Sequence, residues 1–221
     1  MTKPIVLYGH TSGPNPWKVA IILEELKIPY EIKIVDFAEI KKEPYTNINV
    51  NGRVPAIEDP NTDITLWESG AIIEYLVETY DKENTLTYTS FPEKYLVKQW
   101  LHFQVSGQGP YFGQAAWFTK FHHERLESPT KRYQDEIVRV VSVLDKALTG
   151  KKYLVGNKCT YADLAFVTWD SMLPFIFGDK FATLNFEKNY PAYFAWNKSL
   201  TERPAVQKIT KDKQAAMAKG H

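Results

Sequence analysis

The sequence has one cysteine, Cys159, in 221 residues. A single thiol closes no intramolecular disulfide and builds no cysteine-rich zinc site, and such sparing use fits a reducing compartment, which points to the cytoplasm. Charge of one sign is also missing: 27 Lys and Arg against 26 Asp and Glu leave a formal +1. Nucleic-acid proteins usually carry a strongly basic domain or stripe, and attraction to an anionic membrane needs a basic patch too, so neither partner is expected. No run of about 18 apolar residues occurs, which argues against a membrane-spanning helix. Residues 1–10 hold no basic segment followed by an apolar one, so no secretory signal is read. Metal-ligand clusters are lacking as well. His122 and His123 are adjacent, and adjacent helix positions do not face one point, so no metal is expected. What is abundant is aromatic surface, 14% of residues with six Trp, enough to wall either a core or an apolar pocket.

The periodicity divides the chain in two. Residues 5–8 are an apolar run between Pro4 and Gly9 and read as a strand. Residues 9–16 are dense in turn formers. Residues 17–26 are apolar nearly all round, a buried helix, with Pro16 in its first turn, where a missing N–H costs nothing. Tyr30, Ile32 and Ile34 alternate with charged neighbours over 30–36, a half-buried strand. A loop or short helical turn is expected over 44–51. Residues 54–58 and 64–67 flank a Pro-Asn-Thr-Asp turn and should pair as a hairpin. Ser69 reads as the N-cap of a helix over 71–80. Polar residues 81–91 read as a linker. Beyond Pro92 every periodic segment is helical. The clearest, 134–148, puts Ile137, Val140, Val141, Leu144 and Leu148 on one stripe. Thr160 with Asp163 resembles a capping box ahead of an apolar, central helix over 161–169. Residues 190–200 form another helix, and 211–221 read as a frayed helix end or loose tail. The expected domains are 1–81, α/β, and 92–221, all-helical.

A β-α-β-x-β-β-α domain with a proline opening its third strand looks like the thioredoxin fold, here without a redox Cys-x-x-Cys. With an all-helical C-terminal domain behind it, the chain resembles the cytosolic glutathione transferases. The residues that carry the resemblance are Asn51-Gly52-Arg53-Val54-Pro55-Ala56-Ile57, Glu68-Ser69-Gly70-Ala71-Ile72 and Thr160-Tyr161-Ala162-Asp163-Leu164-Ala165. A second set is Gly13-Pro14-Asn15-Pro16-Trp17-Lys18-Val19, residues 99–110, Gly113-Gln114 and Arg132-Tyr133. It is similar to the fungal branch related to the yeast nitrogen-catabolite regulator and to bacterial nu-class enzymes. In that branch an asparagine meets the glutathione thiol.

The resemblance implies glutathione as co-substrate, a homodimer and a site with assigned parts. A cis Val54-Pro55 bond would turn the Val54 N–H and C=O toward the ligand's cysteinyl backbone; taken alone, Val-Pro reads as the start of an edge strand. Ser69 at a helix start offers its hydroxyl and backbone N–H groups to the γ-glutamyl carboxylate, with Glu68 accepting the ammonium; taken alone, the pair is an N-cap beside an exposed acid. Arg53, Lys41 or Lys42 would meet the glycyl carboxylate or else be solvated surface charge, and Ile40 stands where the branch usually carries His or Gln. Arg132 matches a residue that in the bacterial relatives reaches glutathione from the partner subunit, a surface salt bridge being the other reading. Trp17, Tyr111, Phe112 and Trp117, with Phe118 and Phe121, form the candidate wall for a small hydrophobic electrophile, or, at helical spacing, core.

Asn15 is placed at the sulfur. Its side chain can donate to a thiolate but cannot take a proton. A charge-assisted hydrogen bond of about 1.5–3 kcal/mol lowers a thiol by about 1–2 pKa units. A fall from about 8.5 to about 6.5 raises the thiolate share at pH 7 from ~3% to ~75%. Nucleophilicity drops with pKa at a Brønsted slope of about 0.4–0.5, which returns most of that gain, so holding the electrophile beside the sulfur must supply the larger part. Ser12 is the alternative at the sulfur, and Asn15 in Gly-Pro-Asn-Pro also reads as a turn residue. Cys159 reads as packing. The expected activity is glutathione conjugation in detoxification, with glutathione-dependent disulfide or peroxide reduction beside it. The alternative is a catalytically weak, glutathione-binding regulator. The yeast regulator carries a long polar N-terminal extension, whereas Met1 lies three residues ahead of the first strand segment's Pro4 boundary, so the enzyme is expected.

Overall fold

The computed structural model describes residues 2–219. Their contacts define two compact units: one runs to Leu86 and takes in Glu202 onward, the other is Thr87–Thr201.

The first unit opens with β1 (Ile5–Gly9), α1 (Pro14–Glu25) and β2 (Tyr30–Ile34). In β1 the side chains of Ile5 and Leu7 are buried, as is Gly9, and those between are half-buried, the period-2 pattern of a strand with one better-covered face. The hairpin β3 (Ala56–Asp59) and β4 (Ile64–Trp67) comes next, then α2 (Ser69–Tyr80). The sheet order is β2-β1-β3-β4, with β1 parallel to β2 and antiparallel to β3. This is the expected thioredoxin-like domain. Two helix starts differ from the sequence reading. α1 begins at Pro14 rather than at residue 17, because Pro14 and Pro16 both fall in the first turn, where proline loses no hydrogen bond. α2 begins at Ser69 itself, so the cap position belongs to Glu68. A 3₁₀ turn, Tyr45–Asn47, fills the 44–51 segment. The expected linker is ordered at its start, where buried Asp81 accepts the N–H groups of Thr85 (2.8 Å) and Leu86 (2.7 Å).

The second unit is helical throughout: α3 (Glu93–Phe103), α4 (Gly109–Ala116), α5 (Glu127–Leu148), α6 (Tyr161–Leu164), α7 (Val167–Asp170), α8 (Leu173–Phe177), α9 (Phe181–Leu184), α10 (Phe186–Asn189) and α11 (Pro191–Thr201). π-helical turns, Gln104–Gln108 and Trp117–Phe121, flank α4. α5 keeps the apolar stripe but starts at Glu127 rather than at residue 134. The single helix expected over 161–169 is instead α6 and α7, separated by a turn in which Phe166 N–H bonds to Asp163 O (3.4 Å) and Trp169 N–H to Phe166 O (3.2 Å). Its capping box is present: Thr160 donates its N–H (2.9 Å) and hydroxyl (3.0 Å) to Asp163.

The chain then returns to the first unit as α12 (Pro204–Ala218), which packs on α1 and buries Val206 and Ile209. Arg203 clamps Glu25 with two bonds of 2.6 and 2.7 Å. Of the two readings of the segment from 211, a frayed helix end or a loose tail, the helix holds, running through Ala218, and the contacts group this element with the first unit rather than with the expected 92–221 domain. Residues 220–221 lie outside the described residues.

Candidate functional site

Tyr8, Ala56 and Trp67 stand side by side across three strands. The segments after β1 and after β4, and the segment before β3, therefore emerge at one end of the sheet. Gly9 pairs with Ile34, so the chain leaving β2 starts from that end too. Residues 10–15, 54–55 and 68–69, far apart in sequence, share it.

Asn15 is the second residue of α1 and half-buried. The first-turn N–H groups of a helix point out of its N-terminus. Prolines at 14 and 16 contribute none, so those of Gly13 and Asn15 represent the positive end of the dipole. Ser12 is tied back to His10: its N–H bonds to His10 Nδ1 (3.2 Å), with Oγ 3.1 Å from the same nitrogen. Burial, partly offset by Asp36, holds the His10 pKa below its ordinary value. Trp17 is only 3% exposed and its indole N–H donates to His10 O (3.1 Å) and Thr11 O (2.9 Å). It braces the loop ahead of α1 from inside the unit.

The Val54-Pro55 bond is cis. Among the described residues neither the N–H nor the C=O of half-buried Val54 has a protein partner. The residue before it is fixed hard: Arg53 C=O accepts the Tyr45 hydroxyl (2.6 Å) and Asn49 Nδ2 (2.7 Å). Tyr45 and Asn49 were not picked out from sequence, where neither carries a functional pattern. Ile40 packs with Tyr45 and Ala56, so the position where the branch usually has His or Gln is core here. Gly52 sits at φ +57, and a Cβ there would meet Ile40 O at 2.5 Å. Of the candidate cations, Lys41 is committed to Asn51 O (2.8 Å) and Lys42 to Glu39 (3.1 Å). Exposed Arg53 has no side-chain partner among the described residues.

Glu68 is held at φ 72, ψ 113, a region that costs a non-glycine residue about 1–3 kcal/mol and is found mainly at functional positions. Its C=O accepts the Ile72 N–H (2.9 Å) while its carboxylate is exposed. Ser69 is 6% exposed, and its hydroxyl has no protein partner among the described residues. One buried group near this corner was missed in the sequence. Lys18, in α1, is 1% exposed, and burial pushes its pKa down to about 7 against the opposing pull of the Glu68 charge. A single cation in the otherwise apolar run from Trp17 to Leu23 was the available signal.

In the second unit Phe112 is fully buried, Tyr111 half-buried with the Arg139 guanidinium 5.8 Å from its ring centre, and Trp117 half-exposed beside Phe121. Arg132 is exposed on α5. Cys159 is buried, its Sγ 3.8 Å from Thr160 O. His122 and His123 lie past the π-helical turn with rings stacked 4.5 Å apart. Among the described residues no group of three His, Cys, Asp or Glu could hold a metal, and no helix is long and apolar enough to cross a membrane.

The family model for the glutathione S-transferase N-terminal domain matches residues 3–78, and that for the C-terminal domain matches 110–204. The glutathione S-transferase-like protein OpS6 of Beauveria bassiana is 48% identical, over 96% of this chain and 97% of its own. Protein URE2 of Candida albicans is 35% identical, over 94% of this chain and 70% of its own. The glutathione transferase URE2P8 from Phanerochaete chrysosporium, solved with oxidized glutathione, aligns with a TM-score of 0.92 at 38% identity, covering 99% of this chain and 98% of that one. Ure2p5 from the same fungus, cocrystallized with 1-(S-glutathionyl)-2,4-dinitrobenzene, aligns at 0.92 and 39%, covering 100% and 99%.

Proposed function

The chain belongs to the glutathione S-transferase family, with fungal Ure2-type transferases among its relatives, and from that premise we propose that it conjugates glutathione to small hydrophobic electrophiles. The observation that carries the reading is the shared sheet end. There, the Val54 backbone groups, which have no protein partner among the described residues, the Ser69 hydroxyl and the head of α1 with Asn15 emerge together. Glutathione needs an extended-backbone partner, an anion site, an acceptor for its ammonium and a group at its sulfur. Val54 supplies the first, Ser69 with the α2 N-terminus the second, Glu68 the third and Asn15 the last. Arg53, whose guanidinium has no partner among the described residues, takes the glycyl carboxylate ahead of Lys41. The thiol gives its proton to solvent; Asn15 and the α1 dipole hold the thiolate. The thiolate attacks the electrophilic carbon, a C–S bond forms, and the leaving group departs with its electron pair. Tyr111 and Trp117 are the proposed electrophile contacts, and Arg132 the proposed contribution from a partner subunit in a cytoplasmic homodimer.

The resemblance to the branch of the yeast nitrogen-catabolite regulator, with Protein URE2 of Candida albicans 35% identical, leaves a second reading, a glutathione-binding regulator with little turnover. One series of measurements separates the two. The protein should melt higher with millimolar glutathione, sediment at about twice 25.5 kDa, and turn over at least one of an aryl halide, an isothiocyanate, a hydroperoxide or a mixed disulfide. Absence of any melting shift sinks both readings. A shift without turnover of the four classes favours the regulator.

A further inference from the structure

The helix-facing side of the sheet is covered unevenly. β1 and β2 run parallel with Ile5 beside Tyr30, Leu7 beside Ile32 and Gly9 beside Ile34, and residues so paired turn their side chains to one face. Ile5 and Leu7 are fully buried, whereas Tyr30 and Ile32 are half-buried and Ile34 is 37% exposed. α1 packs on β1 and α12 packs on α1. The large apolar residues of α12, Val206 and Ile209, are buried near its start. Farther on, Ala215 and Ala216 present short side chains, and a groove of about 800 Å³ is left between β2, α1 and α12, wholly within the first unit. Small-molecule sites usually hold about 300–1,000 Å³, and apolar surface left open in this way marks a binding groove more often than a packing defect. Asn15, Val54, Glu68 and Ser69 do not line it.

Its apolar lining is Trp17, Ile28, Ile32 and Ile34, and its α12 wall is Lys208, Asp212, Ala215, Ala216 and Lys219, spaced as one helix face. Lys208 is committed to Glu24 (3.0 Å) and Asp212 (3.0 Å). Lys27 and Lys219 also line the groove, both exposed, and neither side chain has a partner among the described residues. Three lysines against the two carboxylates leave the lining positive. Glu24 and Asp212 gather at the Lys208 end, while Lys219 stands about 16 Å farther along α12, at about 1.5 Å per residue.

We infer that this groove is a second ligand site, for a free, elongated apolar molecule with one anionic group, of which a fatty carboxylate is the simplest form. The chain lies over Ile32 and Ile34 against Ala215 and Ala216, and the carboxylate docks at Lys219, away from Glu24 and Asp212. The site goes beyond conjugation and uses none of the residues assigned to glutathione. It shares Thr11 and Trp17 with the loop ahead of α1, where the Trp17 indole donates to Thr11 O (2.9 Å).

The test is calorimetric titration of the whole protein with decanoate below its micellar range, with and without saturating S-hexylglutathione. One decanoate per chain should bind equally in both. Uncharged decanamide and cationic decyltrimethylammonium should bind more weakly. Lys219→Glu should weaken decanoate by about fivefold, the scale of an exposed charge contact. Ala216→Trp, on half-exposed helix surface, should weaken it by at least about tenfold, because the methylenes it displaces lose their burial, while melting stays near the wild type. Ile34→Ser, at the open side of the groove, should weaken it as well and serves should Ala216→Trp not fold. No binding to the wild type, unchanged affinity in Ile34→Ser, displacement by S-hexylglutathione or equal binding of decyltrimethylammonium would each overturn the inference. Two further outcomes would overturn it by naming another occupant. Binding to phosphatidylglycerol vesicles without binding of free decanoate makes the face a membrane contact. Altered sedimentation of Ala216→Trp, with no decanoate bound by the wild type, makes it a contact between two copies of the chain.

Discussion

At Asn15 the available chemistry is one charge-assisted hydrogen bond. Its amide donates and cannot act as a base, so Asn15→Ala should raise the pKa of bound glutathione by about 1–2 units. Thiolate absorbance against pH would read the shift. Turnover should fall by no more than about 10²-fold, since about 1.5–3 kcal/mol is at stake, and glutathione affinity should change little. An unchanged thiol pKa would move the role to Ser12 or to a backbone N–H of α1. Cys159→Ser should leave turnover as it is, because the reacting sulfur is the ligand's. Asp170 is the residue whose titration the fold alters most usefully for experiment. Burial pushes its pKa up from 3.8 to about 7, against hydrogen bonds from Tyr193, Asn197 (2.9 Å) and Gln108 (2.8 Å). The folded chain thus keeps a proton that the unfolded chain has already released. The Asp170 contribution to stability is full below about pH 4 and is lost as pH rises through about 7. Asp170→Asn cannot ionise, so its melting temperature minus that of the wild type should rise between pH 4 and 7; a difference independent of pH would refute this.

At the scale of elements, the segment between β2 and β3 shows how a loop becomes a precise part. Ile40 and Tyr45 are pulled into a small core with Ala56, Tyr45 and Asn49 grip Arg53 C=O, and Gly52 makes the bend that lets them meet. An alanine at Gly52 would adopt φ +57 with its Cβ 2.5 Å from Ile40 O. Gly52→Ala should destabilise the protein by more than about 1 kcal/mol and weaken glutathione binding by displacing Val54; urea unfolding and a glutathione titration would check both. Ordinary stability with ordinary affinity would mean that this bend is not what places Val54. Helix starts obey a similar local logic. Pro14 and Pro16 permit α1 to begin inside what reads as a turn, and the Glu68 backbone replaces a Ser69 side-chain cap at α2.

For the whole molecule, α12 has a consequence that its sequence does not advertise. Its buried residues, Val206 and Ile209, lie in the unit that contains β1, and burying each such side chain is worth roughly 1.5–3 kcal/mol. The Arg203 clamp on Glu25 adds a bidentate contact in the same unit. Removal of residues 204–221 should therefore lower the stability of the thioredoxin-like unit by several kcal/mol and strip hydrogen-exchange protection from α1. Loss of protection confined to the helical unit would show that α12 belongs there after all.

Much of this architecture is legible in the sequence. The apolar run at β1, the alternation at β2, the apolar stripe of α5 and the Thr160 capping box are periodic or short-range signals, and the backbone obeys them locally. The motif residues Val54, Glu68, Ser69 and Asn15 can likewise be named from their neighbours in the chain. Their meeting at one sheet end cannot, because strand register is set by pairings between residues about fifty positions apart. For the same reason tertiary structure alone decided that, among the described residues, Arg53 has no side-chain partner while Lys41 has one, and that Phe112 and Lys18 are buried. Burial and ion pairing depend on which distant surface covers a residue, and a helix-period pattern states only that some surface will.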